Sequence, residues 1–91
     1  MLTVTNNAKD KLMELLLVNT DDREIGLRLT MELPGQFGLA LDRGLPTDEV
    51  IEHEGLKLLL IEPELVGLLE GATLDAQDTP EGPKLVISRE P

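Results

Sequence analysis

The chain has one histidine, His53, and it stands between two carboxylates, Glu52 and Glu54. An imidazole beside carboxylates is a donor set that suits iron or another divalent metal. On a strand, however, successive side chains alternate faces. Glu52 and Glu54 then share one face and His53 takes the other, so the three converge on an ion only across a bulge. A solvated or half-buried histidine is the plainer reading, and Glu52 with His53 is the alternative metal pair. Asp21, Asp22, Asp75 and Asp78 lie in or near turns, where an aspartate oxygen bonds local amides. Their spacing is not that of an EF-hand loop. No nucleophile motif surrounds His53, and neither a Walker loop nor a dinucleotide fingerprint occurs. The residues therefore predict no catalytic site, no resident cofactor and a protein that is not an enzyme.

Gly35-Gln36-Phe37-Gly38 fits a G-x-x-G pattern, which clamps RNA backbone in some modules. Such loops work in basic surroundings, whereas this chain has a net charge of −10 and Glu32 stands nearby. A plain hairpin turn is expected there instead. The same charge argues against nucleic acid and against an anionic membrane surface, and favours a protein partner with basic groups. There is no cysteine, so no disulfide, thiolate metal site or thiol nucleophile can form within these residues. The opening Met-Leu-Thr-Val-Thr-Asn-Asn lacks the basic start of a secretory signal. The apolar run Leu58 to Ile61 is too short to cross a bilayer. A cytoplasmic protein is the expectation, and the 91 residues suit one domain spanning 1–91.

The elements that would position these residues follow from periodicity. Ala8, Leu12, Leu15 and Leu16 recur on one face and predict a helix over 6–18, with Thr5 as its N-cap. Ile25 to Leu33 alternates apolar and polar, Pro34-Gly35 is a turn signal, and Phe37, Leu39 and Leu41 alternate again, which predicts a hairpin. Asp42 to Asp48 is expected as a loop. Val50 to His53 and Leu56 to Ile61 read as strands about the turn Glu54-Gly55, the second buried on both faces. Pro63 opens a short helix over 63–70 with Leu65, Val66, Leu68 and Leu69 as its apolar face. Ala72 to Ala76 and Lys84 to Ser88 close the chain as strands, linked by 79–83. The prediction is an α+β domain, a mainly antiparallel or mixed sheet with two helices. Its core should include Leu12, Leu15, Leu16, Leu27, Leu29, Leu58, Leu60, Leu65 and Leu69.

This ordered set resembles one family along nearly the whole chain. Leu2-Thr3-Val4-Thr5 followed by Ala8 and a helix is similar to its start, and Gly26-Leu27-Arg28-Leu29 to its first strand. Gly35-Gln36-Phe37-Gly38 stands where that family carries a Gly-Cys-x-Gly turn. Asp48 to Ile51 with Gly55 to Leu58 resembles its central hairpin, and Leu69 to Asp75 its helix end and next strand. The family is that of the HesB-like, or A-type, iron–sulfur cluster carriers. The resemblance implies a HesB-like domain and a place in iron–sulfur cluster assembly or sulfur metabolism. It also implies one cysteine in the hairpin turn and a Cys-x-Cys tail as cluster ligands. Here Gln36 occupies the turn position, and the chain reaches Pro91 about where the tail would begin. The expectation is a cysteine-less relative that acts by binding protein. Its partner would be an iron–sulfur assembly component, a homologous carrier, or a second copy of itself in a homodimer. The alternative is a protein that holds iron or another divalent metal through carboxylates and His53.

Overall fold

A computed structural model describes residues 2–33 and 36–89. The elements are β1 (Thr3–Val4), α1 (Asn6–Asn19), β2 (Ile25–Leu33), β3 (Gln36–Arg43), β4 (Glu49–His53), β5 (Leu56–Ile61), α2 (Pro63–Leu68), β6 (Ala72–Thr79) and β7 (Gly82–Arg89). They form two sheets, of order β1-β6-β7 and β3-β2-β5-β4. The β1–β6 and β2–β5 pairs are parallel, and β2–β3, β4–β5 and β6–β7 are antiparallel. The architecture is α+β, as the order of periodic segments implies. No helix among the described residues is long and apolar enough to cross a membrane.

Local chemistry explains most of the boundaries. The Thr5 side chain accepts from the Ala8 amide at 3.1 Å and so caps a first-turn donor of α1. Its hydroxyl also donates to Asp75 Oδ1 at 2.6 Å, which pins the helix start to β6. The two bonds from Thr5 and the Ala76 amide hold the Asp75 carboxyl below its ordinary value, that from Thr5 being the larger influence. Pro63 opens α2, where its missing N–H is not needed. The β4–β5 connection turns at Glu54 and Gly55, with φ of 51° and 80°. Positive φ at both central residues is the twist that a two-residue hairpin requires.

One apolar cluster draws on α1, β2, β5, α2 and β6, with residues of β3, β4 and β7 packed against it. Strand β5 lies between β2 and β4, and Leu58, Leu59, Leu60 and Ile61 have no exposed surface. The non-alternating run is thus covered on both faces. Leu60→Ala should cost about 2–5 kcal/mol from lost burial and a residual cavity; the urea midpoint measures it, and an unchanged midpoint would remove Leu60 from the core.

Three expectations need correction. Leu15 is not core: it is 43% exposed. The buried face of α1 is the narrower stripe Ala8, Leu12 and Leu16. Leu15 precedes Leu16 by one residue, about 100° around the helix, and with Lys11, Glu14 and Val18 it lines a shallow surface depression. The segment 79–83 is not a loop, because β6 and β7 run on to pair Thr79 with Gly82, leaving a two-residue turn. The expected loop over 42–48 is shortened likewise, since β3 continues to Arg43. The other departure is β1, whose two residues pair in parallel with Thr73 and Leu74.

Candidate functional site

The hairpin β2–β3 carries Gln36, Phe37 and Gly38, three of the four residues for which the resemblance implies a cysteine turn. Its register runs from Ile25 opposite Arg43 to Met31 opposite Phe37, then shifts to Leu33 opposite Gln36. Pro34 and Gly35, on which the expected turn falls, lie outside the described residues. Gln36 is the first residue of β3, and Phe37 and Gly38 follow within the strand. Phe37 is half-buried and packs against the main core, so the hairpin is anchored by its one aromatic side chain.

The base of this hairpin is tied by an ion pair that no spacing rule announces. Arg28 lies on β2 between Ala40 of β3 and Leu60 of β5. Its Nη1 and Nη2 donate to the two oxygens of Asp48 at 3.0 and 2.6 Å, and its Nε donates to Asp42 Oδ2 at 2.8 Å. The Leu45 amide donates to Asp48 Oδ2 at 2.8 Å. The Asp48 side chain is 0% exposed and that of Arg28 is 12% exposed. A bidentate guanidinium with an added amide donor leaves the buried carboxylate satisfied. The Arg28 bonds hold the Asp48 carboxyl below the usual carboxylate range, against the opposing effect of burial. Bonds to Asp48 first and Asp42 second raise the Arg28 guanidinium.

A carboxyl held low in the folded state favours folding at every pH above its unfolded value of about 3.9. That contribution fades as pH falls through the lower folded value. Arg28→Gln should therefore lower stability at pH 7 by about 3 kcal/mol and flatten the fall in stability below about pH 4. Urea midpoints measured across that range test this. An unchanged acid limb would mean that the pair does not support the fold.

The metal-ligand candidates lie elsewhere, on the edge strand β4. A register shift does occur between Ile51 and Glu52, the irregularity that convergence would require. Glu52 is exposed and faces Lys57 across the strands, and His53 faces Leu56. His53 Nε2 lies 3.9 Å from Glu54 Oε2. Among the described residues no group of three His, Cys, Asp or Glu side chains could hold a metal ion. The turn aspartates have local partners: Asp22 accepts from the Glu24 amide and pairs with Arg43, and Asp78 pairs with Lys11. An iron–sulfur cluster requires soft thiolate ligands, and the side chains of this chain do not supply them.

Known structures share the fold. The chain superimposes on IscA with a [2Fe-2S] cluster at a TM-score of 0.67 and 19% identity, over 98% of this chain and 85% of that one. It matches Escherichia coli SufA, involved in biosynthesis of iron–sulfur clusters, at 0.71 and 23% identity, over 97% and 84%. It matches a protein of Aquifex aeolicus solved by NMR at 0.70 and 23% identity, over 98% and 91%. No family model matches the chain. In sequence it is 30% identical to the iron–sulfur cluster insertion protein ErpA 1 of Methylococcus capsulatus, over 94% of this chain and 70% of that protein. The chain belongs to the HesB-like family of A-type iron–sulfur cluster carriers. Within that family it has no cysteine.

Proposed function

We propose that this chain is a non-catalytic protein-interaction module of iron–sulfur cluster assembly, which binds a partner of that pathway without itself ligating a cluster. The observation that carries the reading is the pairing of the family's fold with a cysteine count of zero in these residues. A chain that keeps the fold but not the ligands retains its surfaces, and surfaces bind proteins. The partner chemistry that fits is an assembly component or a cysteine-bearing homologous carrier with basic groups toward this acidic chain.

The test mixes the purified chain with a cysteine-bearing A-type carrier loaded with a cluster under anaerobic conditions. Size-exclusion chromatography and calorimetry should detect a complex. The cluster absorption should stay with the carrier after separation. Incubation of the chain alone with iron and sulfide should leave no stoichiometric cluster after desalting. A cluster retained by the chain alone would overturn the reading. Tight iron binding without sulfide, weakened by Glu52→Ala and His53→Ala, would replace it with the carboxylate–histidine alternative.

A further inference from the structure

We propose that Gly44–Asp48 forms a strap, closed over Leu60 by the Arg28–Asp48 ion pair, that opens as a unit while the rest of the fold stays intact. The proposal goes beyond the cluster-assembly reading and does not depend on it.

The residues of the strap give it little apolar attachment. Leu45 is 57% exposed, and Pro46 and Thr47 are exposed as well. Its internal bonds run between its own two ends: the Asp48 amide donates to the Leu45 carbonyl at 3.0 Å, and the Leu45 amide to the Asp48 carboxylate. What joins it to the sheet is the guanidinium of Arg28, through two short bonds to Asp48 and a longer one, 3.5 Å, to the Arg43 carbonyl.

Leu60 is what the strap covers. It has no exposed surface, yet it does not belong to the main apolar cluster that holds its neighbours Leu59 and Ile61. Its register partners are Arg28 and Val50, whereas those of Leu59 are Leu27 and Ile51. Alternation along β5 puts Leu60 and Leu59 on opposite faces. Gly44 lies directly over it: a Cβ built there would be 3.5 Å from Leu60 Cδ2. Val50 beside it is 37% exposed. A segment with few buried apolar contacts, held by one polar clamp, is the kind that opens below the cost of global unfolding. Opening bares an apolar strip of Leu60 and Val50.

The absence of native cysteine makes a single introduced thiol a clean reporter. The experiment compares thiol labelling of Leu60→Cys and Leu59→Cys chains, each with Arg28 intact and with Arg28→Gln. Arg28→Gln should speed labelling at position 60 by about tenfold or more, as loss of a charge-assisted clamp allows. Labelling at position 59 should rise only by the factor that the global loss of stability in the same chain sets, and should stay slower than at position 60, since local opening leaves that face packed. Labelling at position 60 no faster than at position 59 would show that both are reached by global unfolding, and no acceleration at position 60 would show that the clamp does not hold the strap; either result overturns the proposal. Amide exchange in a chain carrying Arg28→Gln alone leaves the core leucines intact. There the Leu45 amide, whose acceptor on Asp48 is retained, should exchange well above the rate that global unfolding sets, and the Leu59 amide at that rate. The reverse order would likewise overturn the proposal.

Discussion

A chain carrying both Gln36→Cys and a Cys-x-Cys extension after Pro91 should acquire cluster absorption on anaerobic reconstitution with iron and sulfide, where Gln36→Cys alone produces none and the extension alone produces less. The reason is ligand number. A cluster is held by roughly four thiolates. A single cysteine at position 36 supplies at most one per chain, which falls short even when two chains meet. The tail alone supplies two per chain, four when two chains meet, so it is the comparison against which the hairpin cysteine is measured. Together, in a dimer, they exceed the requirement. Gln36 is the first residue of β3, and a chain carrying Gln36→Cys alone should still fold. The measurement is visible absorption retained after desalting, with circular dichroism to confirm folding. A folded double variant that stays colourless would mean that position 36 is not the equivalent of the family's turn cysteine.

Gly26→Ala should destabilise the domain by about 3 kcal/mol or more, at or above the usual cost of overpacking, although it adds one methyl group. A Cβ at position 26 would lie 2.3 Å from the backbone carbonyl oxygen of Lys57, and 3.3 Å from Leu60 Cγ. The side chain of Leu60 can shift, but the carbonyl belongs to β5, which pairs with β2 beginning at Leu27 opposite Leu59. Relief therefore requires the two central strands to part at the end of their parallel register. Against a total stability of about 5–15 kcal/mol for a domain, this loss is large. Urea unfolding at neutral pH measures it, and an unchanged midpoint would mean that the strands can separate there freely.

The helices and the strands were legible where a single periodicity governs a segment. Thr5 caps α1, the alternating run Ile25 to Leu33 is β2, and the unbroken run Leu58 to Ile61 is buried throughout. Each depends on neighbours close in sequence. Leu15 was not legible, because two adjacent leucines both fit the edge of an apolar helical face, and only the width of the surface beneath decides between them. The parallel partners were not legible either. Nothing in Thr3-Val4 points to Thr73-Leu74, since a parallel pair has no connecting turn to advertise it. The Arg28–Asp48 pair was missed for a similar reason. Arg28 appears as one polar residue on the outward face of a strand, and eighteen acidic residues offer themselves as partners. The only signal was its position: a basic side chain midway along an apolar strand must find an anion if its surroundings are covered. The resemblance located the family, and the comparisons bear that out, but it could not supply a ligand geometry whose residues are absent.

The parallel contact between β1 and β6 also governs when the molecule can be completed during synthesis. Thr3 and Val4 pair with residues 70 positions later, and Thr5 and Asn7 bond Asp75 and the Ala76 carbonyl across separations of 70 and 69. Contacts so distant in sequence close slowly, because the loop entropy is lost before any bond rewards it. On the ribosome β1 must wait until β6, 70 positions later, emerges. The β2–β3 hairpin, whose partners are near in sequence, can form earlier. Until β6 arrives, the start of α1 lacks the β6 partners that dock it, and Leu12 and Leu16 have no complete core to enter. Strand β1 is thus made well before its partner and is among the last elements to be fixed.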